Sequence, residues 1–289
     1  MGTSSTYGGP KYGLEPPWVD NNNGGGQPAP DQSSPDGSDA PTEGGDGAGD
    51  GAEGNQPGQG PKIAAPPHPL KGSRGDFTRF TNSAKSSALS KAVKGYLAST
   101  NGGAGATRRM PNSTRVASGV ASLVSSVATQ GAAAALQRFN LQALAGRPAT
   151  EVFEALVDHL CPDGGTIDEA IARDALIDTI SVFANEDLGN FDQLTPEQLN
   201  EFLAEMITRS ITTKVINEIG TNSLHGSASD EDFRRAEASL RDYTAGAVRD
   251  ALGSVFDAHE SLTDQQMEQR INDVVANSFE VLEAILENE

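Results

Sequence analysis

Few residues of this chain are spaced for chemistry. The histidines are His68, His159, His225 and His259, and the single cysteine is Cys161. Acyl-transfer or hydrolytic chemistry needs a Ser or Cys beside a base that takes its proton. These histidines fall in a proline-rich stretch, in a loop (SLHGS) and late in two helical stretches, where an imidazole is usually a surface or helix-end group. His159, Cys161 and Asp163 form an HxCxD cluster that invites a metal ion. The spacing fits no closed zinc pattern, however, and Pro162 turns the backbone between the ligands. Cys161 therefore reads as a packed thiol at a helix end. Asp174 and Asp178 stand four apart on one helix face, a spacing that can hold a divalent cation or do acid–base work. Among thirty acids in residues 116–289 such pairs arise by chance, so they read as a solvated face. There is no phosphate loop of the form GxxxxGK followed by Ser or Thr. The expectation is a non-catalytic chain with no metal and no cofactor. An effector enzyme using Asp174 or Asp178 stays open as a third class, distinguished by metal dependence.

The cations are concentrated in one place. Residues 1–60 hold one Lys against nine acids, residues 61–115 hold ten Lys or Arg against Asp76 alone, and residues 116–289 hold ten basic against thirty acidic side chains. In the middle block Arg74, Arg79, Arg108 and Arg109, with Phe77 and Phe80 interleaved, have the composition of a weak electrostatic and stacking surface for nucleic acid. Two other readings compete: the block neutralises the chain's own acidic helices, or it docks an acidic partner. A net charge of −19 repels phosphate at long range.

The third chemical feature is the N-terminus, MGTSSTYGGPKYGLEPPWVD. Small Gly2 permits removal of Met1, which exposes an unhindered α-amine with a pKa near ~8, an available nucleophile. Tyr7, Tyr12 and Trp18, the only tryptophan, sit with Pro10, Pro16 and Pro17 in an otherwise polar leader. That combination points to an extended recognition motif for a partner groove.

The elements that would position these groups follow from composition. Sixteen of the 32 glycines lie in residues 1–60 and 12 of the 16 prolines in residues 1–70, so this part cannot bury enough apolar surface to offset its ordering entropy. We expect a disordered tail over 1–72, made of a recognition motif (1–20) and a flexible linker (21–72). The forty residues from 21 to 60 would give a reach of roughly 35 Å. A basic connecting segment over 73–115 is expected to carry one helix, Ala84–Leu97, broken by NGGAGA at 101–106. The acidic remainder, 116–289, reads as an all-α bundle. Its helices are expected over Asn112–Thr129, Ala132–Leu144, Thr150–Leu160, Thr166 to about Phe183, Thr195–Ile219, Ser229 to about Phe256 and Asp264–Leu286. The first residues lack a basic-then-apolar leader, no stretch approaches ~20 apolar residues, and one cysteine allows no disulfide framework. These features point to a soluble, cytoplasmic protein with no membrane contact.

Several stretches together resemble one family. The opening MGTSSTYGGP with PPWV, then RGDFTRF, ATRRM, and LAGRPATEVFEALVDHLCPDGGTIDEAIARDAL resemble QatB-like proteins of the four-component Qat anti-phage defence system. The resemblance spans nearly the whole chain except 21–60. It implies a bacterial source and three system neighbours: an ATPase, a QueC-like enzyme (QatC-like) and a TatD-like nuclease. It implies no catalytic residues. QueC-type enzymes activate a carboxylated deazaguanine with ATP and pass it to an amine, and the resemblance thereby suggests a role for the leader. Gly2 would be the acceptor, and Thr3, Ser4, Tyr7, Gly8, Gly9, Pro10, Pro17 and Trp18 would make the contacts. The alternative is a nucleic-acid-binding adaptor using residues 74–115.

Overall fold

From Lys71 onward the chain is built of helices: α1 Lys71–Ser83, α2 Ser86–Thr100, α3 Gly102–Thr107, α4 Pro111–Gln130, α5 Ala132–Gln137, α6 Ala149–Leu160, α7 Ile167–Ala184, α8 Pro196–Val215, α9 Asp230–Leu252 and α10 Asp264–Glu287. The computed structural model describes residues 70–161, 165–186, 188–221, 229–253 and 262–288. These belong to the unit spanning 63–289. Among the described residues there is no β-strand, only an antiparallel bridge between Pro148 and Asn190. No helix of the described residues is long and apolar enough to cross a membrane. The all-α class read from the sequence is the class observed. Residues 1–69 of the expected tail, recognition motif included, lie outside the described residues, while Lys71 and Gly72, expected to close the linker, open α1 instead.

The helix starts are written locally. Thr166, Thr195, Ser229 and Thr263 each accept from the backbone N–H three residues on, and Glu169, Gln198, Asp232 and Gln266 reach back to complete the capping boxes of α7 to α10. Pro111 and Pro196 occupy the first turns of α4 and α8, where a missing N–H costs nothing. The start of α4 is capped from a distance: Asp168, buried near the start of α7, accepts from the Asn112 N–H at 2.6 Å and from the Ser113 hydroxyl at 2.8 Å.

Helices α4, α8, α9 and α10 close a ring, each packing on the next. Helices α6 and α7 cover the α4 and α8 side, and α1, α2 and α3 cover the α9 and α10 side. An aromatic cluster fills the α4 and α8 side: Phe153 stacks on Phe202 at 4.1 Å, with Phe183 and Phe191 edge-on. On the α9 and α10 side, Tyr96 lies against Phe279 at 6.0 Å.

Three departures from the sequence reading have local causes. Residues 73–115 carry three helices and the start of α4, rather than one helix, and they are part of the shared core rather than a connector. Asn101 at φ 65° ends α2, and α3 then begins at Gly102 in the stretch expected to be a break. Here glycine permits close approach. A Cβ at Gly103 would overlap the Ala276 carbonyl of α10, and one at Gly105 would overlap the Thr100 carbonyl. Finally, the helix expected over Ala132–Leu144 stops at Gln137, and Asn140 takes a left-handed φ of 59°.

Candidate functional site

The basic segment is the strongest candidate surface in the body of the chain, and its six named residues part company. On α1, Phe77 and Phe80 are three apart and face inward. They are buried, with 0% and 3% exposure, and meet edge to face at 6.1 Å. Neither can stack on a base, which corrects the expectation of an aromatic nucleic-acid surface: apolar burial claims both rings. Arg74 donates from Nε to the Glu218 backbone carbonyl at 2.9 Å. Arg79 pairs with Asp76, one turn away. Arg109 reaches Glu218 Oε1 at 3.1 Å. Of the six, only Arg108 keeps an exposed guanidinium without an ion-pair partner among the described residues. Lys94 of α2 likewise pairs with Glu287 of α10. Three cations of the block, Arg79, Arg109 and Lys94, thus pair with acids of their own fold.

Glu218 is the hub of this arrangement. It sits in a π-helical turn, Ile216–Gly220, that continues α8. Such turns widen a helix and redirect side chains, often at functional positions. Lys214 Nζ joins Arg109 on Oε1, also at 3.1 Å, and both Lys214 and Glu218 are largely buried, at 11% and 13% side-chain exposure. The other oxygen, Oε2, and the Tyr96 hydroxyl are buried in the same cluster. Burial first, and then the Glu218 carboxylate, push the Tyr96 phenol well above its ordinary value, so it remains neutral. The cluster gathers α1, α2 and the α3–α4 junction around one residue at the end of α8. Sequence reasoning missed it. The four-residue spacing of Lys214 and Glu218 was the one local signal, since the other partners come from more than a hundred residues away.

Open space lies along the neighbouring helices. A cleft of about 440 Å³ between α3, the start of α4 and α10 is lined by Arg108, Thr114, Glu268, Asn272 and Asp273. An adjoining groove of about 250 Å³ shares Glu268 and is lined by Arg115, Arg138, Phe139, His159 and Asp264. In it the Arg138 guanidinium lies 5.1 Å from the Phe139 ring centre, and His159 lies on that ring at 5.8 Å. Charges of both signs alternate along these walls, which suits polar peptide contacts better than a phosphate chain.

A protein-family model, described as Qat anti-phage system associated protein QatB, matches residues 102–282. The chain belongs to the QatB family. It is therefore a component of the Qat anti-phage defence system. No curated protein and no solved structure matches the chain. The matched QatB region runs from α3 into α10 and contains both clefts, the Asp168 cap and Glu218. Helices α1 and α2, with Arg74 and Tyr96, lie outside it.

The remaining chemical candidates in this QatB-family chain separate as follows. Cys161 is buried at the end of α6, and burial pushes its thiol up to about 11, against the opposing pull of Arg173 and Arg115. A thiol of that kind is protonated at neutral pH and is no nucleophile. His159 is exposed in the last turn of α6, while Asp163 and the other three histidines lie outside the described residues. Asp174 and Asp178 are exposed on α7, and Asp178 pairs with Arg209 at 3.1 Å. Among the described residues no group of three or more His, Cys, Asp or Glu is placed to hold a metal ion. Gly2, Thr3, Ser4, Tyr7, Gly8, Gly9, Pro10, Pro17 and Trp18 lie outside the described residues.

Proposed function

We propose that this chain is a non-catalytic, cytoplasmic component of the Qat system that binds the system's QueC-like enzyme and presents the Gly2 amine for modification with a deazaguanine-type nucleobase. The observation that carries the reading is the leader itself, a Gly2-led MGTSSTYGGP followed by PPWV, on a chain of the QatB family. In the proposed step the Gly2 nitrogen attacks the ATP-activated carboxyl carbon of the nucleobase. The N–C bond forms, the activating group leaves, and the amine gives up a proton. Gly2 offers the least hindered amine available, and Gly8 and Gly9 let the backbone pass a narrow entrance. Trp18 and the prolines would supply the apolar contacts of an extended peptide. The helical body would hold the partner and raise the local concentration of the leader. The protonated Cys161 thiol, and acids already paired with arginines, favour a presenting role over a catalytic one.

Intact-mass measurement of the full chain after co-expression with the QueC-like enzyme tests this. The expected result is a mass increase that maps to Gly2 and disappears in Gly2→Leu. An unmodified terminus after co-expression with an active enzyme overturns it.

A further inference from the structure

Helix α7 is apolar on two sides. Its inner face buries Ile171, Leu176, Ile180 and Phe183 beneath α4, α6 and α8. Its outer face exposes Ile167 at 71% and Ile177 at 41%, and these are the exposed large hydrophobics among the described residues. A single exposed isoleucine needs no explanation. Two on one face of one helix, ten residues and therefore about 15 Å apart, with exposed Ala170 between them, form a defined strip.

The strip is interrupted by one acid, Asp174, and flanked by others. Asp174 and Asp178 share the exposed face, and Asp158 of α6 stands beside it with its side chain 83% exposed. The arginines that pair with Asp158 and Asp178 are the more buried partners, so the carboxylates point outward. This charge selects among occupants. A second copy docked through the same face would set Asp174 and Asp178 against their equivalents, and like charges across an interface are disfavoured. The leader of the chain, with nine acids and one Lys in residues 1–60, meets the same repulsion. Nucleic acid does too.

We propose that the outer face of α7 is the docking surface for a partner protein that presents an apolar patch ringed by Lys or Arg. The choice of probe rests on the function proposed above, in which the QueC-like enzyme is the partner of the body. The experiment measures binding of purified QueC-like enzyme to the full chain, to the double variant Ile167→Glu with Ile177→Glu, and to Asp174→Lys. All three side chains are exposed, so the variants are expected to keep the parent's circular dichroism spectrum and melting curve. The double variant is expected to weaken binding by at least about tenfold, as loss of a central apolar anchor does. Asp174→Lys is expected to weaken it by a smaller factor, and rising ionic strength should weaken the parent complex.

Binding of the parent that neither variant changes overturns the docking surface and leaves the function standing. Failure of the parent to bind the enzyme at all overturns both. A parent that dimerises in sedimentation, with the dimer lost in the double variant, puts a second copy on the strip. A shift of Trp18 fluorescence in the double variant alone puts the leader there. Either result overturns the proposal.

Discussion

Helices α1 to α3 and helix α7 invert each other. The α1 to α3 region has the composition of a surface, rich in Lys, Arg and Gly, yet Phe77, Phe80 and Tyr96 are fully or almost fully buried there. Its arginines find a carboxylate and a carbonyl of Glu218, and its glycines allow backbone to touch backbone. Helix α7 buries one face in the core, yet Ile167 and Ile177 on its outer face are open. The lesson is that charge in a segment reports what it must balance as much as what it shows to solvent. In this chain Arg79, Arg109 and Lys94 each balance an acid of the same fold.

Substitutions can break or sharpen that contrast. The largest effect is expected from Gly103→Val, whose side chain has no room against the Ala276 carbonyl. It should cost more than about 4 kcal/mol and abolish a cooperative urea transition. A normal transition would show that α3 is not wedged on α10. Phe77→Ala should cost about 3–5 kcal/mol in the same assay. A loss well under ~1 kcal/mol would return the ring to the surface and restore a stacking role. Asp168→Ala removes the distant cap of α4 and should cost about 1–2 kcal/mol, because two donors lose their acceptor. That result would show the base of α7 to be structural while its outer face is not. The smallest effect concerns Cys161. With its pKa raised from 9.0 to about 11 by burial, the folded state favours the protonated thiol. Its stabilising contribution is whole below pH 9 and falls as the pH climbs through about 11. At pH 8 the native chain should alkylate far more slowly than the urea-unfolded chain, read by mass spectrometry. Equal rates would mean an open thiol.

How much of this was legible depended on range. The starts at Thr166, Thr195 and Thr263 were readable because cap, box partner and first turn are neighbours in sequence. The end of α5 was not, since an alanine-rich stretch favours helix without marking where it stops, and the left-handed Asn140 decides the matter. Residues 102–106, with glycine at 102, 103 and 105, carry the same letters as a flexible break, and only the carbonyls of Thr100 and Ala276 distinguish the two. The Glu218 hub draws Arg74, Tyr96 and Arg109 from distant helices, so no window of sequence contains it. The CPDGGTIDEAIARDA stretch stood out on resemblance alone, and the structure gives two of its residues distinct duties: Asp168 caps α4, and Ile167 faces out.

The contact between α3 and α10 also constrains synthesis. Helix α3 packs mainly on α10, so it lacks that support until some 160 further residues have been made. At ~5–20 residues per second that interval is roughly 8–30 s. Throughout it α3 has already emerged, while the helix it packs against has yet to be made.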